Sequence, residues 1–284
     1  MKLLPIAATV AFFFAAACAV AAPVSVPATA TLRLYAMDCG ILTVPDADPF
    51  ADDGAYKGVS RTLVVPCYLI RHPKGDLVWD AGLPQAIADL PGGVGPQGIV
   101  MRRKLTDQLA DLGLTPADIE YLSVSHSHFD HIGNGGLFAA STWIVDADER
   151  AHAFRPEARA DTQTFSAYAA LETAPTLLLN DKSTHDVFGD GSVTIIAAPG
   201  HTPGHRLLLL RLARSGPLLL TGDMFHLAES RAGRRVPRFN VDRKQTLESM
   251  DRLEALAGET GARVVRQHVR EDFDAMPAFP AAMD

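Results

Sequence analysis

The chain has 284 residues, of which 48% are hydrophobic, enough to bury a full core in one large domain or two small ones. Its formal net charge is -7 and its basic residues form no run, so the electrostatic footprint of a nucleic-acid binder is missing.

The first segment, "MKLLPIAATVAFFFAAACAVAAP", carries one lysine, then an apolar stretch too short and too rich in small residues for a membrane span, then alanines suited to signal peptidase. It reads as an export signal over residues 1–21. Cleavage is placed after Ala21, because a cut one residue later would put Pro23 directly behind the bond. Cys18 follows three alanines, a poor lipobox, which argues against a lipid anchor. The mature chain, residues 22–284, is therefore expected to be soluble and periplasmic or secreted. Removing Cys18 leaves Cys39 and Cys67, an even pair in an oxidising compartment. Each lies in or beside an expected strand. A disulfide between adjacent strands and two buried thiols that never meet both remain open.

Residues 31–38, 63–71 and 76–79 read as strands, with "HPKGD" a turn between the last two. The stretch "VMRRKLTDQLADLG", residues 100–113, predicts a helix stopped by Gly113, and "TPADI" a short helix capped by Thr115 with Pro116 in its first turn. "IEYLSV" is a strand that runs into "SHSHFDHIGN". Further strands follow in "TWIV", "TLLLN", "VTIIAA", "RLLLLRLA" and "PLLLTGD", with "GDG" and "RSGP" as hairpin turns. A last helix, "RKQTLESMDRLEALAG", precedes the strand "ARVVRQH". The alternation of strands and helices argues α/β layering. Residues 45–60, 91–99 and 226–240 stay irregular, and loops that long inside a compact domain are usually functional or mobile.

The chemistry concentrates in "HSHFDH". In an extended segment residues i and i+2 point the same way, so His126 and His128 can close on one metal ion, while Asp130 and His131 turn toward a second position. Imidazole nitrogen combined with carboxylate oxygen suits zinc, and also iron, cobalt or manganese. Further ligand-type residues stand where apolar strands end: His201 in "PGHTPGH", Asp223 in "TGD" and His268 in "VVRQH". Strand ends fix ligand directions well.

This ordered set resembles the metallo-β-lactamase superfamily of hydrolases over essentially the whole mature chain. With "DCG", "VPCYLI", "LVWDAG", "LTPADIEYLSVSHSHFDHIGN" and "TGDMFH" it is most similar to the N-acyl-homoserine lactonase branch. The resemblance implies a four-layer αββα sandwich with two divalent metal ions, zinc foremost, on one edge. It assigns His126, His128 and His201 to the first ion, Asp130, His131 and His268 to the second, and Asp223 to both. Asp80 in "VWDAG" would hold a ligand imidazole in its tautomer. His205 matches a histidine that is normally structural, and His72, His152 and His185 have no partner in the motif. His128 stands where the flavo-diiron branch has glutamate, and Asp223 where true β-lactamases have cysteine or serine.

The implied reaction is lactone hydrolysis by a hydroxide held between the two metals, with Asp130 carrying a proton to the leaving ring oxygen. The family's tyrosine three residues past the bridging aspartate is replaced here by His226, whose N–H would donate to the developing oxyanion. Ile99, Val100, Met101, Phe225 and Leu227 are candidates for the wall that binds an acyl tail. The expected partner is a small-molecule lactone or ester, with no nucleic acid, no membrane after signal cleavage, and a homodimer as the assembly considered. Two competing readings are a promiscuous arylesterase or phosphotriesterase on the same scaffold and a metal-stabilised binding protein without turnover. Loss of a ligand would favour the last, and none is missing.

Overall fold

The computed structural model describes Met1, residues 31–180 and residues 184–284. Apart from Met1, the expected signal peptide, with Cys18 and the cleavage point, lies outside the described residues. Among the described residues no helix is long and apolar enough to cross a membrane.

Among the described residues eleven strands form two sheets. The first sheet joins β1 (Arg33–Val44), β2 (Arg61–His72), β3 (Gly75–Trp79), β4 (Tyr121–Ser123), β5 (Thr142–Asp146) and β6 (Thr176–Leu179) in that order. It begins with antiparallel pairs and becomes parallel from β3 onward. The second sheet holds β7 (Thr184–Asp186), β8 (Val193–Ala197), β9 (Arg206–Leu212), β10 (Gly216–Leu220) and β11 (Arg263–Val265) in the order β11-β10-β9-β8-β7. Also among the described residues are the helices α1 (Leu105–Asp111), α2 (Phe129–Ile132), α3 (Ala147–Ala153), α4 (Pro156–Ala160), α5 (Thr162–Ser166), α6 (Ser230–Gly233), α7 (Arg243–Thr260) and α8 (Arg270–Asp274).

Side-chain alternation builds the layers. In β2, Tyr68 and Ile70 pack into the cluster between the sheets with Leu208, Leu210, Leu218 and Leu220, while Cys67 and Leu69 face outward onto α1 and its neighbours. In β9, Leu208 and Leu210 point inward, and Leu207 and Leu209 meet Met250 and Leu253 of α7. The unbroken run of leucines in β9 thus reflects a strand covered on both faces. Three apolar interfaces between four layers make the αββα sandwich.

Local departures from the sequence reading have local causes. The expected helix over 100–113 begins only at Leu105, because Val100 exchanges backbone hydrogen bonds with Ile41 and Met101 donates to Gly93. Those bonds hold the segment extended. Gly113 ends the helix with φ 72°, as its position predicts. The segment 147–173, left without elements in the sequence reading, forms α3 to α5. The last strand is short, and His268 follows it by three residues.

Cys39 and Cys67 form a disulfide between β1 and β2, with Cα atoms 5.7 Å apart. It closes a span of 28 residues, for which chain entropy gives roughly 3–4 kcal/mol of stabilisation. Gly82 lies directly against it: a Cβ there would sit 2.3 Å from Cys39 Cβ and 2.8 Å from Cys67 Sγ. The bridge therefore backs the turn that carries Asp80.

Candidate metal centre

The ligand-type residues come from the ends of strands in both sheets. β4 runs into the loop with His126 and His128, and the first turn of α2 presents Asp130 and His131. From the second sheet come His201 after β8, Asp223 after β10 and His268 after β11. Each of the seven side chains except the half-buried His128 is buried.

They fall into two groups. His126, His128, His201 and Asp223 bring one ligand atom each within 4.8 Å of one another, and Asp130, His131 and His268 do the same. Asp223 spans both: its Oδ2 is 3.5 Å from the Nε2 atoms of His126 and His201, while its Oδ1 is 3.2 Å from His131 Nε2 and 2.9 Å from His268 Nε2. Asp130 Oδ2 stands 3.6 Å from His268 Nε2 and 3.8 Å from His131 Nε2.

The surroundings fix which ring nitrogens face the site. His131 Nδ1 donates to Asp80 Oδ2 at 3.1 Å, and His268 Nδ1 donates to the Val64 carbonyl at 2.8 Å. Ser125 Oγ donates to Asp80 Oδ2 and accepts from His126 Nδ1, each at 3.1 Å. These bonds leave the Nε2 lone pairs of His126, His131 and His268 directed at the centre. Asp80 is fully buried in a left-handed conformation, φ 56°, and also accepts from Ser125 N–H at 2.6 Å and Gln267 Nε2 at 3.2 Å.

This donor set fits divalent cations. His128 Nδ1 lies 2.8 Å from His126 Nε2 and 3.2 Å from His201 Nε2, so ring nitrogens converge on one point. His131 Nε2 and Asp223 Oδ1 are buried without a hydrogen-bond partner. Converging lone pairs and orphaned buried acceptors are costly in a protein interior and are satisfied by metal ions. Burial holds the His126 and His128 imidazoles well below their usual range. Burial acts the same way on His131 and His268, but Asp223 outweighs it at both, helped by Asp80 and Asp130 at His131 and by Asp130 at His268, and raises both. Burial would raise the Asp223 carboxyl, yet His268, His226, His131 and His126 together hold it well below the carboxylate range.

A cavity of about 350 Å³ opens onto the centre. His128, Asp130, Asp223, His226 and His268 form its floor, and Leu42, Val44, Phe50, Leu63, Ile99, Phe129 and Phe239 supply its apolar walls. Ile99 lines it as the sequence suggests. Met101 and Phe225, expected to touch substrate, do not reach it. Met101 packs with Val65 and Leu83, and Phe225 packs against the α7 side of the second sheet. Both are 1% exposed, because their backbones leave the loop and turn into the core. Leu227 is likewise buried, with Ala47, Tyr56 and Leu63.

His226 stands at the cavity edge, with Nε2 3.0 Å from Asp223 Oδ2 but off the line of a hydrogen bond. Its ring meets Phe50 and Phe239 edge-on, with centroids 5.2 and 5.5 Å away. His205 belongs to neither group and accepts from Asp223 N–H at 3.0 Å. His72 stacks on Phe188 at 4.0 Å, far from the site chemistry.

Residues 61–268 match the model of the metallo-beta-lactamase superfamily. The chain belongs to that superfamily. Within it, the chain is 35% identical over 260 residues to an N-acyl homoserine lactonase AttM of Azorhizobium caulinodans, an alignment covering 88% of this chain and 97% of that protein. The AttM of Rhizobium radiobacter is 34% identical over 88% of this chain and 97% of its own length. An N-acyl homoserine lactone hydrolase solved with N-hexanoyl-L-homoserine at its catalytic metal centre shares the fold, with a TM-score of 0.74 at 24% identity over 89% of this chain and 99% of that one. AidC, a dizinc quorum-quenching lactonase, follows the same superfamily fold with a TM-score of 0.62 and 16% identity over 88% and 89%.

Asp80 is where the motif placed it, but other residues around the ligand-type side chains and the cavity, among them Glu149, which accepts from Ser127 and Thr202, were not singled out. Ser125 and Ser127 sit beside the ligands in the motif and Thr202 follows His201, so adjacency was the available signal. Glu149, Phe50 and Phe239 had no local signal beyond the last two falling in long irregular loops.

Proposed function

We propose that this metallo-beta-lactamase superfamily protein is an exported, dinuclear metal-dependent lactonase that opens the ring of N-acyl-homoserine lactones and so quenches quorum signals. The carrying observation is Asp223, whose two oxygens face two separate groups of buried histidines at the floor of an apolar cavity. Two divalent ions bound there, zinc by the donor set, supply Lewis acidity toward a carbonyl and a nucleophile from water at neutral pH.

The chain's own residues do the rest. The phenylalanine and aliphatic walls take an acyl tail and exclude bulk water, which strengthens every polar contact at the floor. Asp130, 5% exposed and on the cavity surface, holds the proton that the ring oxygen takes as the C–O bond breaks. His226 offers an N–H on the substrate side, where the carbonyl oxygen gains charge. In the structure that nitrogen lies against Asp223, so it serves the substrate only by turning from the carboxylate. Export to the periplasm is supported by the segment 1–21 and accords with the Cys39–Cys67 bridge. A homodimer is the assembly considered in the same proposal, and sedimentation of the mature chain tests it.

The experiment is a pH-stat comparison of acyl-homoserine lactones, an aryl ester, a phosphotriester and a β-lactam on one metal-loaded sample. The lactones should turn over with the highest kcat/KM. A higher value for the aryl ester or the phosphotriester overturns the lactonase reading in favour of the arylesterase or phosphotriesterase.

A further inference from the structure

Behind the first ligand group lies a buried carboxylate with no role in the chemistry above. Glu149, on α3, is 1% exposed, and among the described residues it forms no ion pair with lysine or arginine. A buried carboxylate without a cationic partner is costly unless hydrogen bonds replace its hydration. Glu149 has four. Its Oε1 accepts from Ser127 N–H at 2.7 Å and Ser127 Oγ at 2.6 Å. Its Oε2 accepts from Thr202 Oγ1 at 2.6 Å and Gly204 N–H at 3.0 Å.

The two oxygens therefore serve two loops from opposite sheets. Ser127 stands between His126 and His128 and, in an extended segment, points away from both. Thr202 directly follows His201. Gly204 approaches so closely that a Cβ there would sit 2.6 Å from Glu149 Cβ. Next to this contact, Arg206 pairs with Asp146, the residue that caps α3, and donates from its backbone to Ser125 O at 2.8 Å. Asp80 plays the matching part behind the second group, where it reaches His131 directly and stands beside His268 through Gln267.

The geometry points to Glu149 as the positioning residue of the first metal site: one carboxylate that sets the distance between the His126–His128 loop and the His201 loop. This rests on the two-ion reading of the centre. Loss of one Glu149 oxygen frees one loop, widening the first group while the second, anchored by Asp80 and Val64, keeps its spacing. Glu149 touches neither an ion nor the substrate.

The test is a zinc titration of the chelator-stripped mature chain against a competing chromogenic chelator, alongside chemical unfolding of the same stripped samples. In Glu149→Gln, one of the two binding steps should weaken by about 10- to 100-fold, the range seen when groups behind metal ligands are removed. The other step should stay at the parental affinity. Thr202→Val, which deletes one donor and leaves the carboxylate, should weaken the same step by several-fold, and Thr202→Ser should restore it. Should Glu149→Gln fail to fold, the two Thr202 variants decide. Parental affinity at both steps overturns the assignment. So does equal weakening of both steps in proportion to lost stability, which would make Glu149 a general support of the fold. No substrate enters the titration, so a failed lactone reading leaves it intact, and its own failure leaves the lactone reading standing.

Discussion

At the floor of the site, seven ligand-type side chains are set by strand ends and by buried hydrogen bonds that Asp80 and the Val64 carbonyl accept from His131 and His268 and that Glu149 accepts from the neighbouring Ser127 and Thr202. The roof above them is made of two long loops, residues 45–60 and 226–243, laced together across the surface by ion pairs. Arg238 pairs with Asp48 at 2.6 Å, Arg235 with Asp53 at 3.3 Å, Arg243 with Asp52, and Arg61 with Glu229 at 3.2 Å. These loops bring Phe50, His226 and Phe239 to the cavity over the candidate metal centre. Buried contacts cannot be screened or replaced by water, whereas exposed pairs are worth about 0–1 kcal/mol each. The floor thus rests on buried contacts, whereas the roof adds exposed ion pairs, which salt can weaken, to its backbone bonds (Asp52 N–H to Val236 O, Arg238 N–H to Pro49 O) and the buried Tyr56–Ser230 contact.

The largest effect should come from breaking the floor at its centre. Asp223→Ala removes the carboxylate whose two oxygens face the two groups, so ion content and turnover should fall together. The loss in kcat should exceed the ~100- to 1,000-fold that removal of a single oxyanion donor costs elsewhere. Elemental analysis with kinetics checks it. Two ions per chain at near-parental rate would show that Asp223 bridges nothing.

His226 sits where floor and roof meet. His226→Phe keeps the ring between Phe50 and Phe239 but deletes the N–H, and turnover should drop on the order of 10- to 1,000-fold with ion content unchanged. His226→Tyr should recover part of it. If His226 instead mainly orients Asp223, ion affinity will fall in both variants, and the residue belongs to the floor.

Protons probe the floor in a different way. In chelator-stripped protein His131 and His268 are raised, so they contribute stability that is complete below the unfolded value of about 6.5 and is lost as pH rises through their raised values. His126 and His128 are lowered, so the folded state is penalised as pH falls below about 6.5. Stripped protein should therefore be most stable near the ordinary histidine range and weaken on both sides. Restoring zinc should remove the alkaline decline, because ions replace the two protons, and affinity should rise by up to about 100-fold per pH unit where both must leave. Unfolding midpoints from pH 5 to 9 test this. A monotonic rise in stripped protein would contradict it.

Floor and roof also differ in how much of them could be read from the chain. The seven ligand-type residues are polar residues placed at the ends of apolar strands, a pattern that exists in one dimension, and the spacing that resembles the superfamily singled out all seven, which the fold brings together. The disulfide was half visible, because parity and compartment allow a bridge but only the β1–β2 pairing brings Cys39 to Cys67. Glu149 was invisible, since its partners at 127, 202 and 204 meet it only once both sheets are stacked. Met101 and Phe225 were misplaced for a related reason: an apolar residue near a site looks the same whether it lines the cavity or turns into the core. Phe50 and Phe239 show the converse, for they reach the cavity on two loops that meet only in three dimensions, a contact no local pattern encodes.

The walls offer a smaller effect. Phe239 is 42% exposed, so Phe239→Ala removes a ring that covers the cavity without opening the core. KM for a decanoyl homoserine lactone should rise by about tenfold, with a smaller change for a butanoyl one, since each methylene in an apolar pocket is worth roughly 1–3 kcal/mol at most. Equal changes for both tails would mean that the ring holds the lactone end.

The smallest effect, and the one most specific to the roof, is that of salt. At 1 M ionic strength the screening length shrinks to about 3 Å, which weakens exposed pairs such as Arg238–Asp48 while leaving the buried floor contacts largely as they are. KM for a long-chain lactone should then rise about two- to fivefold, a change of the size that a few exposed pairs can supply. Salting-out of an apolar substrate would strengthen its burial and push KM the other way, so a rise cannot come from that source. Arg238→Ala should raise KM at low salt and respond less to added salt than the parent. Zinc retention should not change with salt in either protein. If KM stays flat, or if ions are lost in step with it, the ion pairs do not latch the roof, and packing with the backbone bonds between the loops holds Phe50 and Phe239 in place.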